Sequence, residues 1–323
     1  MFNKFKSIEN HYQEKSINDM LKFNPVYHSC AYVAQEKVDG ANFQIKFVRE
    51  DGVIDISYGK RTAALSMDEK FENFQHVTAQ PHIQALEQNV CEWMINTNTE
   101  ANEVIVYGEL YGKGIQGRIN YGDKKDLIFY DICINGDYIS PKAFYDIMAV
   151  WKSTEIAVPV VAIFETLDEA LAFEVEHKIT FVGVLEEDNF WEGVVIKPWD
   201  TIARNNLGEQ VLFYIKKKTV DFGEKMKVKK HKAPVEVSQA FQDAEDIYSS
   251  YITENRLKSV FSQYGMIQSQ KDMGAYIKHM VEDAKTDFFK DEMERFLALE
   301  PKEKAKLFSC TGKIVSVMLR KYV

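Results

Sequence analysis

The spacing of apolar residues divides the chain into two parts. In the first two-thirds, short alternating or continuous apolar runs predict strands at residues 31–37, 42–49, 53–60, 103–110, 127–134, 192–197 and 211–217. Asp51-Gly52 separates two of these runs and is a hairpin signal. Apolar residues at helical spacing predict helices at residues 81–96, 141–152 and 167–177. This mixture is typical of an α+β fold with antiparallel sheets and flanking helices.

Beyond residue 232 the pattern becomes helical. Residues 239–264, 271–299 and 302–322 are nearly free of strand signals, and apolar pairs such as Ile247 and Tyr251 lie four positions apart. The stretch 229–234 has the composition of a linker. We therefore predict an α+β domain at residues 1–234 and a small all-α domain at residues 235–323.

Composition indicates a globular protein with ordinary apolar content. No apolar run reaches the roughly 18 residues that a membrane span requires, and the first residues lack the apolar core of a signal peptide. The cysteines are scattered without a C-x-x-C pair, which favours neither a zinc site nor a disulfide framework: Cys30, Cys91, Cys133 and Cys310. We expect a cytoplasmic protein (in the host cytoplasm if the gene is phage-borne) without a membrane partner.

The net charge of −9 argues weakly against a nucleic-acid partner, but the charge is unevenly distributed. Eight lysines lie between residues 216 and 232, against only Asp221 and Glu224. A local basic stripe can bind phosphates on an acidic protein, because the local field governs contact. The alternative is that these lysines belong to a solvated linker.

One tetrad stands out among the polar positions, Lys37-Val38-Asp39-Gly40, directly after a predicted strand. Alone it is weak evidence. It gains weight from four motifs that follow it in order: Lys60-Arg61, Tyr107-Gly108-Glu109, Glu192 to Lys197, and Ile215 to Lys218. This ordered set resembles that of the covalent nucleotidyltransferases. The residues at the motif positions resemble those of the phage-type RNA ligase 2 family and the related RNA-editing ligases most closely. The resemblance runs from Phe2 to about Lys218 and more faintly into the last third.

The resemblance implies transfer of AMP through a lysine. A neutral amine attacks the α-phosphorus of ATP and displaces pyrophosphate. Because free lysine titrates near 10.4, nearby cations are needed to disfavour its charged form. Lys37 is the expected nucleophile; the ordinary alternative is a surface lysine before a turn. Asp39 is expected to position Lys37 or to hold a metal-bound water.

The resemblance assigns further residues to the nucleotide. Glu36 belongs in the adenosine pocket, Asn42 and Arg61 lie near phosphates, and Glu109 accepts both ribose hydroxyls. Tyr130 matches an aromatic residue that stacks on adenine, although core packing explains it equally well. For the other positions, the alternative is a polar residue at a strand end.

The third group of candidates lies on the last two predicted strands. Glu192 is expected to bind a metal ion, Mg²⁺ or Mn²⁺, directly or through water, as is Asp39. Lys197 would neutralise phosphate charge, although residues five apart point to opposite faces of an ideal strand. Lys216 and Lys218 share a face and are expected to hold the α-phosphate, whereas Lys217 points away.

The sequence does not support two other nucleotide-binding motifs, the dinucleotide-binding turn and the P-loop. The stretch 112–117 matches G-x-G-x-x-G, but a loop-like segment follows it instead of an apolar helix, so a substrate-facing loop is favoured over a dinucleotide-binding turn. The chain also lacks G-x-x-x-x-G-K-[ST], the P-loop signature.

The sequence therefore predicts an ATP-dependent RNA ligase that joins a 3′-hydroxyl to a 5′-phosphate, with nicks in duplex RNA as the substrate that the resemblance suggests. We expect a monomer without a protein partner. A capping guanylyltransferase or DNA ligase is an alternative, but these usually carry a C-terminal domain of short strands. The other alternative is an inactive RNA-binding module, although every proposed catalytic position is filled.

Overall fold

The structure is a computed structural model that describes residues 3–223 and 238–323. The chain divides into two compact units, Met1–Asp221 and Phe222–Val323. The predicted boundary between residues 234 and 235 and the lysines at 225–232 lie outside the described residues.

Every strand that the structure describes belongs to the first unit. In chain order they are β1 (Glu9–Asn10), β2 (Tyr32–Glu36), β3 (Ala41–Glu50), β4 (Val53–Lys60), β5 (Ala63–Leu65), β6 (Glu103–Gly112), β7 (Lys125–Ile134), β8 (Asp137–Tyr138), β9 (Val160–Phe164), β10 (Gly193–Pro198), β11 (Ala203–Arg204), β12 (Gln210–Val211) and β13 (Ile215–Lys218). They form a six-stranded antiparallel sheet of order β5-β4-β3-β6-β7-β8, a five-stranded sheet of order β1-β13-β10-β2-β9, and the short pair β11-β12. Among the strands of residues 3–223 and 238–323, only β1 and β13 form a parallel pair.

The helices of the first unit are α1 (Glu14–Phe23), α2 (Phe74–Thr78), α3 (Pro81–Asn96), α4 (Pro141–Val150) and α5 (Leu167–Ala172). Side chains of α2, α3 and α4 pack with one face of the six-stranded sheet in the largest apolar core. Side chains of α1 and α5 pack with one face of the five-stranded sheet. The remaining faces of the two sheets share a smaller cluster that contains Phe5, Tyr107 and Tyr214.

The second unit is helical. Its helices are α6 (Gln239–Ser250), α7 (Glu254–Tyr264), α8 (Met273–Leu297), α9 (Pro301–Lys306) and α10 (Thr311–Leu319). They enclose a core that includes Tyr248, Leu257 and Phe288. Arg256 is buried in this unit and pairs with Asp283 and with Asp287 at 2.9 Å. The predicted α+β class, with antiparallel sheets and a helical C-terminal region, is confirmed.

Two local predictions differ from the structure by more than a residue or two at their ends, and some elements, α1 and β9 among them, were not predicted. The helix predicted at residues 167–177 ends at Ala172, because Phe173 has an extended backbone with ψ of 124°. The strand predicted at 211–217 is split between β12 and β13. Strand β9 was not predicted at all; it is an edge strand whose side chains are largely exposed or half-buried.

None of the helices in the described parts of the chain is long and apolar enough to cross a membrane.

Candidate active site

Lys37 lies just past the end of β2, where the chain leaves the five-stranded sheet. Its backbone N–H donates to the carbonyl of Gly193 at 2.9 Å. Its Nζ donates to Oε2 of Glu192 at 2.7 Å, and the Lys37 side chain is 21 % exposed whereas that of Glu192 is 2 % exposed. The predicted nucleophile is therefore accessible and ion-paired to the predicted metal-binding carboxylate.

Strand β13 brings a second lysine to the same carboxylate. Lys218 Nζ lies 2.9 Å from Oε1 of Glu192, and Lys218 is opposite Gly193 in the register of β10 and β13. Lys217 points the other way, since its Nζ donates to the carbonyls of Leu171 at 2.6 Å and Phe173 at 2.7 Å. Lys216 is opposite Val195 and shares the face of Lys218.

The environment of Glu192 fixes its charge. Burial raises the pKa of this carboxyl, but the charges of Lys218, Lys37 and Arg118 outweigh burial and hold it well below its usual range. A carboxylate is therefore present between the two lysines at neutral pH. Glu192 is not a residue of β10 but immediately precedes it. The direction of its side chain is therefore not set by the strand alternation that sets the direction of Lys197.

Asp39 is held by the loop between β6 and β7. Arg118 donates to both carboxylate oxygens, with Nε 2.9 Å from Oδ2 and Nη2 bonded to Oδ1. The backbone N–H of Asp39 donates to the hydroxyl of Tyr121 at 2.9 Å. Burial and the nearby charge of Glu192 raise the pKa of Asp39, while Arg118 opposes the rise.

Gly40 completes the tetrad for a steric reason. A Cβ at this position would lie 2.4 Å from the carbonyl oxygen of Leu110. The close approach that requires glycine is therefore between β6 and this turn, within the protein itself.

Glu36 ends β2 and is buried. Its carboxylate accepts a hydrogen bond from the hydroxyl of Thr180 and another from the backbone N–H of Phe181 at 2.9 Å. Burial raises the pKa of Glu36, and these two donors act in the opposite direction. The polar end of the side chain is thus fixed by the chain that precedes Glu192.

The six-stranded sheet contributes the opposite side of the site. Asn42 on β3 and Glu109 on β6 are direct cross-strand partners. The Glu109 side chain forms no hydrogen bond or ion pair within residues 3–223 and 238–323. Burial, together with the charges of Glu192 and Asp39, raises the pKa of Glu109 to about 8, although Lys37 lowers it. An acceptor without a protein donor is available here.

Arg61 follows β4 on the same sheet. Its Nη2 donates to Oγ of Ser7 at 3.4 Å, and its buried Nε has no hydrogen-bond partner in the described residues. A buried guanidinium N–H without an acceptor fits an anionic ligand, because an unsatisfied buried donor is costly.

Tyr130 on β7 lies between the two sheets. Its hydroxyl accepts a hydrogen bond from Asn42 Nδ2, and its ring meets Phe5 edge-on at 5.3 Å. Lys197 donates to the Tyr130 carbonyl at 2.9 Å and to Asp131 at 2.8 Å. Lys197 is only 3 % exposed and therefore neutralises a buried aspartate in this structure.

Comparison with known proteins now decides the family. The RNA ligase family matches residues 31–218, more than half of the chain. The chain belongs to the RNA ligase family. A second family, described as the T4 RNA ligase 2 C-terminal region, matches residues 235–313. The resemblance to the phage-type RNA ligase 2 family that the motifs indicated is confirmed.

Solved structures of an RNA ligase from Naegleria gruberi are similar to part of this family member. An apo mutant of that ligase has 16 % identity and a TM-score of 0.46 over 68 % of this chain and 56 % of that chain. A mutant with ATP and Mn has 17 % identity, a TM-score of 0.46, and 68 % and 57 % coverage. The ligase with PPi has 17 % identity, a TM-score of 0.45, and the same coverage. The chain thus spans little more than half of those proteins.

The donor set of the site fits a hydrated divalent ion. Asp39 and Glu192 supply hard carboxylate oxygens close enough that the charge of Glu192 raises the pKa of Asp39. No group of three or more metal-ligating side chains is assembled within residues 3–223 and 238–323. A Mg²⁺ ion commonly uses one or two carboxylates, several waters and substrate phosphates, which is what these residues offer.

Four contacts of this RNA ligase family member were not predicted. Arg118 and Tyr121 hold Asp39, and Thr180 holds Glu36. Asp131 balances Lys197. Each partner lies more than 60 positions away in the chain, so spacing gives no signal for it. Only the Asp131 pair had a local clue, since Asp131 adjoins the flagged Tyr130.

Proposed function

We propose that this chain is an ATP-dependent RNA ligase that joins a 3′-hydroxyl to a 5′-phosphate through AMP bound covalently to Lys37. The observation that carries the proposal is the contact of Lys37 Nζ with Glu192, which Lys218 shares. An accessible lysine that shares a buried carboxylate with a second cation brings a nucleophilic group and a partner for phosphate charge to one place.

The first step transfers AMP. Lys37 Nζ, after loss of a proton, attacks the α-phosphorus of ATP; a nitrogen–phosphorus bond forms and the bond to the β-phosphate oxygen breaks, releasing pyrophosphate. Lys216 and Lys218 face the site and offset the charge of the α-phosphate, and Glu192 keeps Lys37 at the end of β2. Divalent metal would supply charge neutralisation of the phosphates and the leaving group.

The nucleoside is placed by the residues between the two sheets. Glu109 accepts the ribose hydroxyls, since its carboxylate lacks a donor in the described protein. Glu36 lies in the adenosine pocket, and the ring of Tyr130 borders it. Asn42 and Arg61 lie on the phosphate side, where the Nε donor of Arg61 gains an acceptor. Lys197 supports this arrangement through its contacts with Asp131 and the Tyr130 carbonyl.

The remaining steps act on RNA. AMP passes from Lys37 to the 5′-phosphate, and the 3′-hydroxyl then attacks that phosphate, forms the phosphodiester bond and releases AMP. We propose nicked duplex RNA as the substrate, a monomeric enzyme and a cytoplasmic site of action, which the free cysteines suit. Residues 1–234 would carry adenylation and residues 235–323 the engagement of RNA.

The central experiment is incubation with α-labelled ATP and, in parallel, α-labelled GTP, followed by mapping of the labelled peptide. Label from ATP on Lys37, absent in Lys37→Ala, is the expected result. Lys217→Ala is the matched control, because Lys217 lies on the same sheet but faces away from the site. Label from GTP alone would instead indicate a guanylyltransferase, and no label from either would indicate an inactive module.

A second experiment tests the division of labour. A chain ending at residue 232 should still form the AMP adduct but lose most sealing of nicked RNA. Folding of the truncated chain is checked by its thermal transition. Sealing at the full rate would give residues 235–323 another role, and loss of the adduct from a folded truncated chain would contradict the division.

A further inference from the structure

The loop at residues 113–124, between β6 and β7, closes on the tetrad that contains Lys37. Gln116 Nε2 donates to the Gly40 carbonyl at 3.4 Å, and Tyr121 accepts the backbone N–H of Asp39 at 2.9 Å. The loop thus binds the tetrad on two sides of Asp39 and presents Arg118 to its carboxylate.

Arg118 engages both oxygens of Asp39, as a planar guanidinium does in a bidentate pair. The Arg118 side chain is 14 % exposed and that of Asp39 is 4 % exposed, so solvent screens the pair little. The guanidinium charge also acts on Glu192. One fixed positive charge therefore serves the two carboxylates that are proposed to hold metal.

The loop that carries Arg118 is anchored at a second point. Asn189 Oδ1 accepts the backbone N–H of Asn120 at 2.8 Å, and Asn189 Nδ2 donates to the Asn120 carbonyl at 2.8 Å. The same Nδ2 donates to the Val184 carbonyl at 2.8 Å. Because the loop is already ordered, little conformational entropy opposes the contact of Arg118 with Asp39.

We propose that Arg118 is a positioning residue that holds Asp39 in the metal-free site and that a divalent cation competes with it for this carboxylate. A cation that binds Asp39 must use an oxygen that already accepts a hydrogen bond from Arg118, and two positive charges on one carboxylate repel each other. Metal binding and the Arg118 contact therefore weaken each other, as linkage requires. This inference rests on the proposed role of Asp39 at the metal.

The test measures Mn²⁺ binding to the nucleotide-free protein by the EPR signal of the free ion. Arg118→Gln should bind Mn²⁺ more tightly than the wild type by about fivefold or more, the lower range of typical coupling between sites. The gain should vanish in the double variant Arg118→Gln with Asp39→Asn. Lys113→Gln is the control for lost charge, because Lys113 lies on the same loop in an exposed pair with Asp123.

Equal Mn²⁺ affinity in the wild type and in a folded Arg118→Gln protein would overturn the proposal, as would an equal gain in Lys113→Gln. If Arg118→Gln does not fold, Arg118→Lys keeps the charge but loses the bidentate geometry, and a gain of about twofold is then expected; an unchanged affinity overturns the proposal. EPR needs no AMP transfer, so its result is independent of the adduct assay. Tighter Mn²⁺ binding by Arg118→Gln, together with no AMP adduct in the wild type, would sustain the competition and reject the ligase activity.

Discussion

Replacing Glu109 with glutamine should stabilise the nucleotide-free protein, and the gain should grow with pH. The Glu109 carboxyl accepts no hydrogen bond from the described residues. Burial and the charges of Glu192 and Asp39 raise its pKa from 4.5 to about 8. Glutamine keeps the shape of the side chain and removes the charge, so the substitution isolates the cost of ionising this group.

The sign follows from proton binding. Between pH 4.5 and about 8 the folded chain retains a proton on Glu109 that the unfolded chain releases. Where the folded state binds more protons, stability falls as pH rises. At about 1.4 kcal/mol per pH unit, the integrated penalty for the wild type reaches an upper bound of about 4 kcal/mol at pH 8 but only about 1 kcal/mol at pH 5.

The side chain is partly exposed, and solvent screening reduces these values. Taking half of them gives a gain of about 2 kcal/mol at pH 8 and about 0.4 kcal/mol at pH 5. For a domain of about 220 residues, 1 kcal/mol shifts the thermal midpoint by about 2–4 °C. Glu109→Gln should therefore melt about 4–8 °C above the wild type at pH 8 and about 1–2 °C above it at pH 5.

The assay is thermal unfolding followed by near-ultraviolet circular dichroism at four pH values from 5 to 8, without nucleotide. Asp55→Asn is the control, because Asp55 is an exposed carboxylate on β4 of the same sheet, and its midpoint should follow that of the wild type. A difference for Glu109→Gln that stays constant with pH, or a lower midpoint at pH 8, would refute the reasoning. The same variant should weaken adduct formation, because the glutamine side chain offers one acceptor oxygen to the ribose hydroxyls where the glutamate side chain offers two.

Four further substitutions test other contacts. Lys218→Met should abolish the AMP adduct, which adduct gels measure. Lys217→Met should keep the adduct but lower the free energy of unfolding by about 1–3 kcal/mol, because the carbonyls of Leu171 and Phe173 lose their donor; denaturant unfolding measures this loss. Glu192→Gln should cost about 3–5 kcal/mol at pH 7, because Lys37 and Lys218 lose the buried carboxylate that they share. In chemical unfolding, this deficit should shrink as pH falls from 4.5 towards about 2, where the wild-type carboxyl itself becomes protonated. Arg256→Met should lower the unfolding free energy of the helical unit by a similar amount, because two aspartates lose their cation; calorimetry of the full chain would show one transition moved and the other in place.

Local pattern predicted the elements that hold the motifs. The helix predicted at residues 81–96 has those bounds in the structure, because its apolar residues recur at helical spacing and Pro81 suits the first turn. Strands β3 and β4 and their Asp-Gly turn also follow the prediction. In these segments local preference and tertiary packing favour the same structure.

The apolar pattern did not predict the structure where a contact distant in the chain determines the backbone conformation. The helix α5 stops at Ala172, and the carbonyls of Leu171 and Phe173 then accept hydrogen bonds from Lys217. Nothing within the predicted helix indicates a lysine more than 40 positions away. Edge strand β9 likewise depends on pairing with β2 and has no alternation of buried and exposed residues of its own.

The candidate site shows the same division between local and distant information. Strand alternation correctly separated the direction of Lys217 from that of Lys218, because both lie within β13 and the register with β10 fixes their faces. Alternation could not place Glu192 beside Lys37, because Glu192 precedes its strand at a glycine with φ of 139°. At that glycine, side chains no longer alternate between the two faces of the strand, because the backbone adopts a conformation that only glycine adopts readily. The carboxylate therefore reaches the Lys37 side of the sheet, while Lys197, inside the strand, remains with Asp131.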